Sequence, residues 1–231
     1  MISEIIKQVK NRIADAAKKS GRNPQSIRLV AVSKGVSFEK ITEAGNCGHQ
    51  LFGENKVQEA MEKIERLGRG FHRWHFIGHL QKNKVKFVVG QFDLIHSIDS
   101  ASLAEAVHKK SCEHNTVTPV LIQVNVSGEE SKFGVDPENL KKTLQKVFGL
   151  RGLRVEGLMT IPPWDPDPEN SRTYFSVLRT LRDDMVKLGM DHIALDELSM
   201  GMSHDFHVAI EEGATLVRLG TAIFGPRETT G

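Results

Sequence analysis

Residues 27–34 read IRLVAVSK, a nearly continuous apolar run that ends in a lysine and is followed by Gly35. Such a run predicts a strand that is buried on both faces, as strands of parallel sheets are. Seven further runs of short apolar and β-branched residues follow, and longer helical patterns separate them. The eight predicted strands are 27–34, 49–55, 74–78, 94–99, 119–126, 155–160, 197–202 and 216–224.

The segments between these strands have the periodicity of helices. Predicted helices cover 38–47, 56–67, 81–89, 100–113, 137–148, 169–188 and 204–212. An additional amphipathic helix over 2–19 precedes the first strand and places five apolar residues on one face, namely Ile2, Ile5, Ile6, Val9 and Ile13. Strict alternation predicts right-handed βαβ units. Eight units predict a single-domain (β/α)8 TIM-type barrel over 1–231, with an open doubly wound sheet as the alternative.

Local signals support several boundaries. Asp136 is a predicted cap residue before a proline at a first helical position, and Ser100 opens a helical run that ends in Lys109 and Lys110, which complement the helix dipole. The stretch PPWDPDP (162–168) reads as one loop after the sixth strand.

The bulk composition restricts the partners of the chain. The 231 residues carry 31 Lys and Arg against 29 Asp and Glu, a net charge of +2 that favours neither nucleic acid nor an anionic membrane. Cys47 and Cys112 form no CxxC motif and are predicted to be buried, reduced thiols. No apolar run approaches the ~20 residues of a membrane span. The helix over 2–19 contains Glu4 and Asp15, unlike a transit peptide, so we expect a cytoplasmic protein.

Lys34 is the first candidate for chemistry. It stands at the carboxyl end of the first strand, where the active sites of such barrels lie. A desolvated lysine has a lowered pKa, and a neutral amine can attack an aldehyde. The alternative is a strand-end lysine whose stem lies along apolar surface while its charge stays in water.

The last two strands contribute small and hydroxyl residues at the same end of the barrel. Gly201 and Ser203 follow strand seven, and Gly220 and Thr221 come near the end of strand eight. Backbone amides there can bind phosphate, although ordinary tight turns would look the same. Strand eight neighbours strand one in a closed barrel, so this phosphate would lie near Lys34. Arg218 should point inward, paired either with a ligand or with a buried acid.

Other polar residues follow strands two and three, namely Asn55, Lys56, His79, Gln81, Asn83 and Lys84. They can be ligand contacts or merely loop and cap residues. His72 and His75 are an odd number of positions apart and should point to opposite faces, so together with His79 they do not predict a metal site. His204 and His207 could share a helix face but lack a third ligand.

Seven ordered motifs together resemble the pyridoxal phosphate homeostasis protein family, whose members are related to the N-terminal barrel of alanine racemase. The resemblance extends from the first helix almost to the last residue. The motifs are LVAVSK (29–34), FGENKVQE (52–59), WHFIGHLQKNK (74–84), QVNVSGEESKFG (123–134), GLMTI (157–161), LSMGMSHDF (198–206) and VRLGTAIFG (217–225).

The resemblance implies roles for individual residues. Lys34 would form the internal aldimine with pyridoxal 5′-phosphate (PLP), and Asn55 would line the pocket. Arg218 would lie near the pyridine nitrogen, and three residues would hold the phosphate, namely Ser203, Gly220 and Thr221. Lys132 matches a second lysine of the family, and whether it binds PLP stays open. Lys56 stands where the family usually has an aromatic residue, which affects only the edge of the pocket.

These features favour a PLP carrier over an enzyme. An arginine cannot readily give a proton to the ring nitrogen, because its pKa exceeds about 12, so a carbanion would be poorly stabilised. Racemisation needs a second acid or base, yet the single tyrosine, Tyr174, falls in a predicted outer helix. We therefore expect a monomeric, non-catalytic protein that buffers PLP or delivers it to apo-enzymes. A weak racemase-like enzyme and a regulatory interaction protein are the alternatives.

Overall fold

The computed structural model describes residues 1–68, 70, 72–189 and 193–226. Within them, eight parallel strands pair in chain order, and the last pairs with the first to close a barrel. The strands are β1 (Arg28–Val32), β2 (Leu51–Glu54), β3 (Arg73–Phe76), β4 (Leu94–Ile98), β5 (Thr118–Gln123), β6 (Leu153–Met159), β7 (Ile193–Ser199) and β8 (Leu216–Leu219). The predicted (β/α)8 barrel is confirmed, and the open sheet is wrong.

Helices surround the strands. They are α1 (Ile2–Lys19), α2 (Phe38–Asn46), α3 (Val57–Leu67), α4 (Val85–Val88), α5 (Ala101–Glu113), α6 (Leu140–Val147), α7 (Arg172–Val186), α8 (Phe206–Glu211) and α9 (Thr221–Phe224). The extra helix α1 has the predicted bounds and packs against α8, α9 and α2. Ile5 does not lie on its buried face as predicted, because it sits at the edge of that face and is 36% exposed. None of the helices within the described residues has the length and apolar character needed to cross a membrane.

The hydrophobic core has two layers, as alternating side chains on each strand require. The larger layer lies between strands and helices and contains Phe52, Trp74 and Phe76, all essentially inaccessible. The smaller layer fills the barrel and consists of Val30, Leu94, Leu121, Met159 and Leu216. Its small size leaves room inside the barrel for polar side chains.

Strand eight is shorter than predicted. It ends at Leu219 rather than continuing to residue 224, because Gly220 leaves the extended conformation (φ −111°, ψ −74°) and Thr221–Phe224 form α9. The β-branched residues of TAIF resemble a strand, but their backbone turns into a helix. Strand seven also ends earlier than predicted, at Ser199, and Gly201 follows with a φ of +90° that favours glycine.

Smaller predictions had mixed outcomes. The hydroxyl of Ser100 accepts a hydrogen bond from the amide of Leu103, as an N-cap should. Asp136 occupies an N-cap position before a 3₁₀ turn but makes no side-chain capping bond. Cys47 and Cys112 are free thiols, yet both are exposed, so the prediction that they are buried is wrong. Each lies at or near the carboxyl end of an outer helix, on the side away from the core.

Gly157 marks the closest approach of β6 to β7. A Cβ atom there would overlap the carbonyl oxygen of Glu197 and would lie 2.7 Å from its Cβ. We therefore expect Gly157→Ala to lower the free energy of unfolding by about 2 kcal/mol or more, measured by urea denaturation. Gly149→Ala is the matched control, since nothing lies within 4 Å of its added methyl group. Equal stability of the two variants would contradict this reading of the β6–β7 contact.

Candidate functional site

Lys34 lies where predicted, just beyond the carboxyl end of β1. It is half-buried in a turn whose next residue, Gly35, has a φ of +68°. Among the described residues its Nζ atom has no hydrogen-bond or ion-pair partner. A cavity of about 160 Å³ borders Lys34 and is closed on the other side by Phe224 and Gly225, which follow β8. An unpartnered amine beside a cavity is available to an incoming ligand.

A buried ion cluster holds the backbone on both sides of Lys34. The ammonium group of Lys63 donates to the carbonyl of Ser33 at 2.6 Å, to Glu54 Oε1 at 2.8 Å and to Glu59 Oε1 at 2.6 Å. Glu59 also accepts from the amide of Gly35. Burial raises the pKa of Glu54 even though Lys63 opposes the shift. The cluster fixes the lysine turn, and it is not recognisable in the sequence because its members belong to three separate segments.

The loop after β7 meets the end of β8 at the hydroxyl group of Ser203. Ser203 Oγ accepts hydrogen bonds from the amides of Gly220 and Ala222, each at 3.3 Å. Thr221 is the first residue of α9 and is exposed. A Cβ on Gly220 would come within 3.4 Å of Val32, two residues before Lys34. These amides and the lysine turn therefore lie at the same end of adjacent strands.

A tight turn holds Ser203 in place. Gly201 cannot be replaced without conflict, because a Cβ there would lie 2.6 Å from Cβ of Ala209. The amide of Met202 donates to Asp205 Oδ1 at 2.6 Å, and Asp205 is the N-cap position of α8. Backbone and helix thus fix the position of Ser203.

Arg218 points into the barrel, as predicted, and is 4% exposed. Its guanidinium donates to Ser199 Oγ at 2.6 Å and to the carbonyl of Thr160 at 2.9 Å. No carboxylate among the residues the structure describes forms an ion pair with it, so the buried-acid alternative is wrong. Desolvation lowers the pKa of Arg218 to about 10. The group stays cationic at neutral pH and has no direct ion-pair partner among these described residues, while the charge of Asp205 acts on it only at longer range.

The hydrogen bonds of Arg218 continue across the barrel. Ser199 Oγ lies 2.8 Å from His96 Nδ1, and His96 Nε2 lies 2.9 Å from His75 Nδ1. Desolvation lowers the pKa of His75 to about 3 and that of His96 well below its ordinary value, so both rings are neutral at pH 7. This chain of hydrogen bonds was not predicted from the sequence. The sequence contained one hint of it, namely a histidine at an inward position in each of the neighbouring strands β3 and β4.

Asn55 and the loops after β3 and β5 complete this end of the barrel. Asn55 Oδ1 is enclosed and has no hydrogen-bond partner. A Cβ on Gly78 would lie 2.7 Å from backbone atoms of Asn55, so only glycine allows this close approach. The ring of His79 stacks on Phe133 with centroids 3.7 Å apart, and Lys132 precedes that phenylalanine. The structure therefore brings the loop of Lys132 to the same face, without showing a contact between Lys132 and Lys34.

The remaining candidates lie elsewhere or have ordinary roles. His72 packs against Phe52 and Trp74 outside the barrel, so it points away from the inward His75. His204 bonds the carbonyl of Pro166 at 3.0 Å from a turn that precedes α8. Four further residues sit at exposed or capping positions, namely Lys56, Gln81, Asn83 and Lys84, and Tyr174 lies on outer helix α7. The described residues contain no cluster of three potential metal ligands.

Comparison with known proteins covers nearly the whole chain. A family model described as alanine racemase, N-terminal domain, matches residues 6–228. The pyridoxal phosphate homeostasis protein of Aquifex aeolicus is 49% identical over 97% of this chain and 98% of its own length. That of Escherichia coli K12 is 40% identical over 98% and 97%, respectively.

Solved structures agree with the sequence relatives. PipY of Synechococcus elongatus, solved with PLP bound, superimposes with a TM-score of 0.85 at 34% identity and covers 97% of this chain and 100% of PipY. Alanine racemase from Corynebacterium glutamicum shares the fold, with a TM-score of 0.70 at 16% identity over 96% of this chain and 62% of the racemase.

Because of the buried histidines, the stability of the fold should fall as the pH is lowered. An unfolded histidine binds a proton below about pH 6.5, whereas folded His75 stays neutral down to about pH 3, so stability falls as the pH drops through that window. Between pH 7.5 and 5.0 we expect His75 to account for about 2 kcal/mol of the loss. His75→Gln should reduce the pH-dependent loss by that amount in denaturant unfolding. The control His114→Gln removes an exposed histidine and should leave the pH-dependent loss of stability unchanged. If His75→Gln also leaves that loss unchanged, His75 is not its source.

Proposed function

Because the chain belongs to the alanine racemase N-terminal domain family, and within it to the pyridoxal phosphate homeostasis proteins, we propose that it binds PLP and buffers or delivers this cofactor. The observation that carries the proposal is the convergence of an unpartnered lysine, a pair of backbone amides and a buried arginine at one end of the barrel. PLP supplies a reactive aldehyde and a ring that withdraws electrons.

The residues present fit this ligand. Arg218 carries a buried charge that no described carboxylate pairs with directly, and an anionic, aromatic molecule would compensate it. Asn55 Oδ1 is an enclosed acceptor that lacks a donor. The amides of Gly220 and Ala222 converge on a single hydroxyl at long distances of 3.3 Å, an arrangement suited to a phosphate oxygen.

We assign the roles as follows. Lys34 would bind the aldehyde carbon covalently through Nζ, with loss of water, and the ion cluster of Lys63 holds the backbone on either side of Lys34 at the end of β1. Three residues would bind the phosphate, namely Ser203, Gly220 and Thr221. Arg218 would lie near the ring nitrogen, and Asn55 would form part of the pocket wall.

The bonding of Arg218 supports a carrier rather than an enzyme. With a pKa of about 10, this side chain remains protonated at neutral pH and gives up no proton to a neighbouring base. It is fixed by Ser199 and Thr160, so it acts as a constant positive charge. Tyr174 lies on α7, in the outer layer, which makes it a poor partner for Lys34 in two-base chemistry. We therefore propose that the protein is not a catalyst.

The wider setting is also part of the proposal. We treat residues 1–231 as one PLP-binding barrel domain that acts as a monomer in the cytoplasm. The continuous core that joins α1 to the strands supports one domain. Apo forms of PLP-dependent enzymes are the proposed recipients of the cofactor.

Lys34→Ala should abolish the covalent bond to PLP. The desalted, PLP-loaded wild-type protein is expected to be yellow, and borohydride should fix PLP to it irreversibly. The variant should lose about 90% or more of this covalent PLP, because the only nucleophile has been removed. Lys40→Ala is the matched control, because Lys40 borders the same cavity from α2. Mass spectrometry of the reduced protein locates the label. Equal labelling of Lys34→Ala would refute the assignment.

The carrier proposal also predicts the behaviour of added amino acids. In D₂O the PLP-loaded protein should exchange the Cα proton of an amino acid no faster than free PLP at the same concentration, since its arginine leaves the ring a weak electron sink. Proton NMR of a panel of amino acids measures the exchange. Acceleration of about 100-fold or more with any one of them would instead establish a racemase-like enzyme.

A further inference from the structure

A second cavity lies at the opposite end of the barrel from Lys34. Its volume is about 770 Å³, within the range of small-molecule sites. Residues at or near the amino-terminal ends of the first six strands line it, namely Arg28, Leu51, Arg73, Leu94, Thr118 and Arg154. None of the residues assigned to PLP contributes to it.

The lining of this amino-terminal cavity carries excess positive charge. Its cationic side chains are Lys10, Arg28, Arg73 and Arg154, and its carboxylates are Asp93 and Glu156. Arg28 and Arg154 are each paired with a glutamate at 2.7 Å. Lys10 and Arg73 have no ion-pair partner among the described residues. Two cations at the cavity therefore remain available to a ligand.

His75 forms part of the inner wall of the cavity. The residue is 4% exposed and lines the cavity, and its Nδ1 is bonded to His96 inside the barrel. Its other ring nitrogen, Nε2, has no hydrogen-bond partner among the residues that the structure describes. Within the described residues, Nε2 is not one of the enclosed side-chain atoms that lack a partner, so it is open to the cavity, where water or a ligand can satisfy it.

The hydrogen-bond chain determines which kind of partner Nε2 requires. A guanidinium only donates, so Ser199 Oγ accepts from Arg218. Among the described residues the Ser199 hydroxyl has no acceptor for its own proton other than His96 Nδ1, so it donates to that atom. Neutral His96 then carries its proton on Nε2 and donates it to His75 Nδ1. Neutral His75 consequently carries its proton on Nε2. Arg218, on the far side of the barrel, thus makes His75 a hydrogen-bond donor towards the cavity.

We propose that the amino-terminal cavity is a binding site for a small molecule that carries a carboxylate or phosphate group. His75 Nε2–H and the Arg73 guanidinium donate to its oxygens, and Lys10 adds positive charge at the rim. A ligand whose polar groups only donate could not bond to any of these three donors. The site does not depend on PLP binding or on any role given to Lys34.

Histidine ring NMR tests both the proton assignment and the binding. In long-range ¹H–¹⁵N spectra of the ¹⁵N-histidine-labelled full chain, protonated and unprotonated ring nitrogens have well separated shifts. We expect His75 and His96 to be protonated at Nε2. Added inorganic phosphate or succinate should shift His75 Nε2 along a saturable curve, whereas sodium chloride at equal ionic strength should not. Phosphate and succinate in parallel distinguish the two sources of the oxyanion.

Variants at the rim provide the decisive comparison. Arg73→Gln should weaken the tighter-binding anion by about 3- to 10-fold, as the loss of one charged contact does, and Arg73→Lys should recover part of it. Lys7→Gln removes the same charge from α1 outside the cavity and should leave binding within a factor of about 2. His75 protonated at Nδ1, a non-saturable shift, or equal weakening by Lys7→Gln would each overturn the proposal.

Phosphate could also bind near Ser203, so the titration is repeated with protein saturated with PLP. Saturable shifts of His75 that persist there support a separate site. Shifts that vanish when PLP is added, or when Ser203→Ala is introduced, place the anion at the carboxyl end and overturn the proposal. The His75 titration does not depend on the labelling of Lys34 by PLP. A failure of anion binding at this cavity can therefore be distinguished from a failure of PLP binding.

Discussion

The pairing of β8 with β1 is the constraint on which the rest of the structure depends. Residues Arg28–Ala31 pair with Leu216–Leu219, and this register places Val32 against Gly220. Everything at the carboxyl end follows from it, because the lysine turn and the amides of α9 come from opposite ends of the sequence. An open sheet would leave those segments far apart, with an unpaired edge on either side.

Closure also encloses a charge. Arg218 lies in a barrel whose apolar layer is small, and its cost of desolvation is offset by directional bonds rather than by an acid. A carboxylate partner would neutralise the guanidinium and remove its attraction for an anion. With Ser199 and Thr160 as partners of the guanidinium, and with His96 and His75 continuing the chain from Ser199, the charge is positioned but not cancelled. Along this chain every hydrogen bond is donated in the same direction, from Arg218 towards His75.

The sequence predicted what depends on periodicity and missed what depends on three-dimensional convergence. Eight alternating units implied the barrel, and motif order placed Lys34, Ser203 and Arg218 at one end or inside it. The end of β8 was wrong because TAIF has strand composition, whereas the backbone at Gly220 turns into a helix. Cys47 and Cys112 were placed in the core from residue type alone, which does not distinguish the two faces of an outer helix.

The Lys63 cluster and the histidine chain could not be predicted in the same way. Each joins residues from separate segments, and only the register between strands brings them within hydrogen-bond distance. His75 was considered as a metal ligand because histidines were near it in sequence. Its actual partner, His96, comes from the next strand, and a charge on β8 fixes its proton.

The packing of α1 has a consequence for synthesis of the chain on the ribosome. This helix is translated before the eight strands, but it packs against α8 and α9, which follow β7 and β8, and Arg22 beside it donates to the carbonyls of Ile210 and Ala214. The partners of α1 are thus translated after most of the barrel. Such long-range contacts delay folding until α8 and α9 have been translated. A nascent chain therefore cannot complete either end of its barrel before β8 and α9 are available.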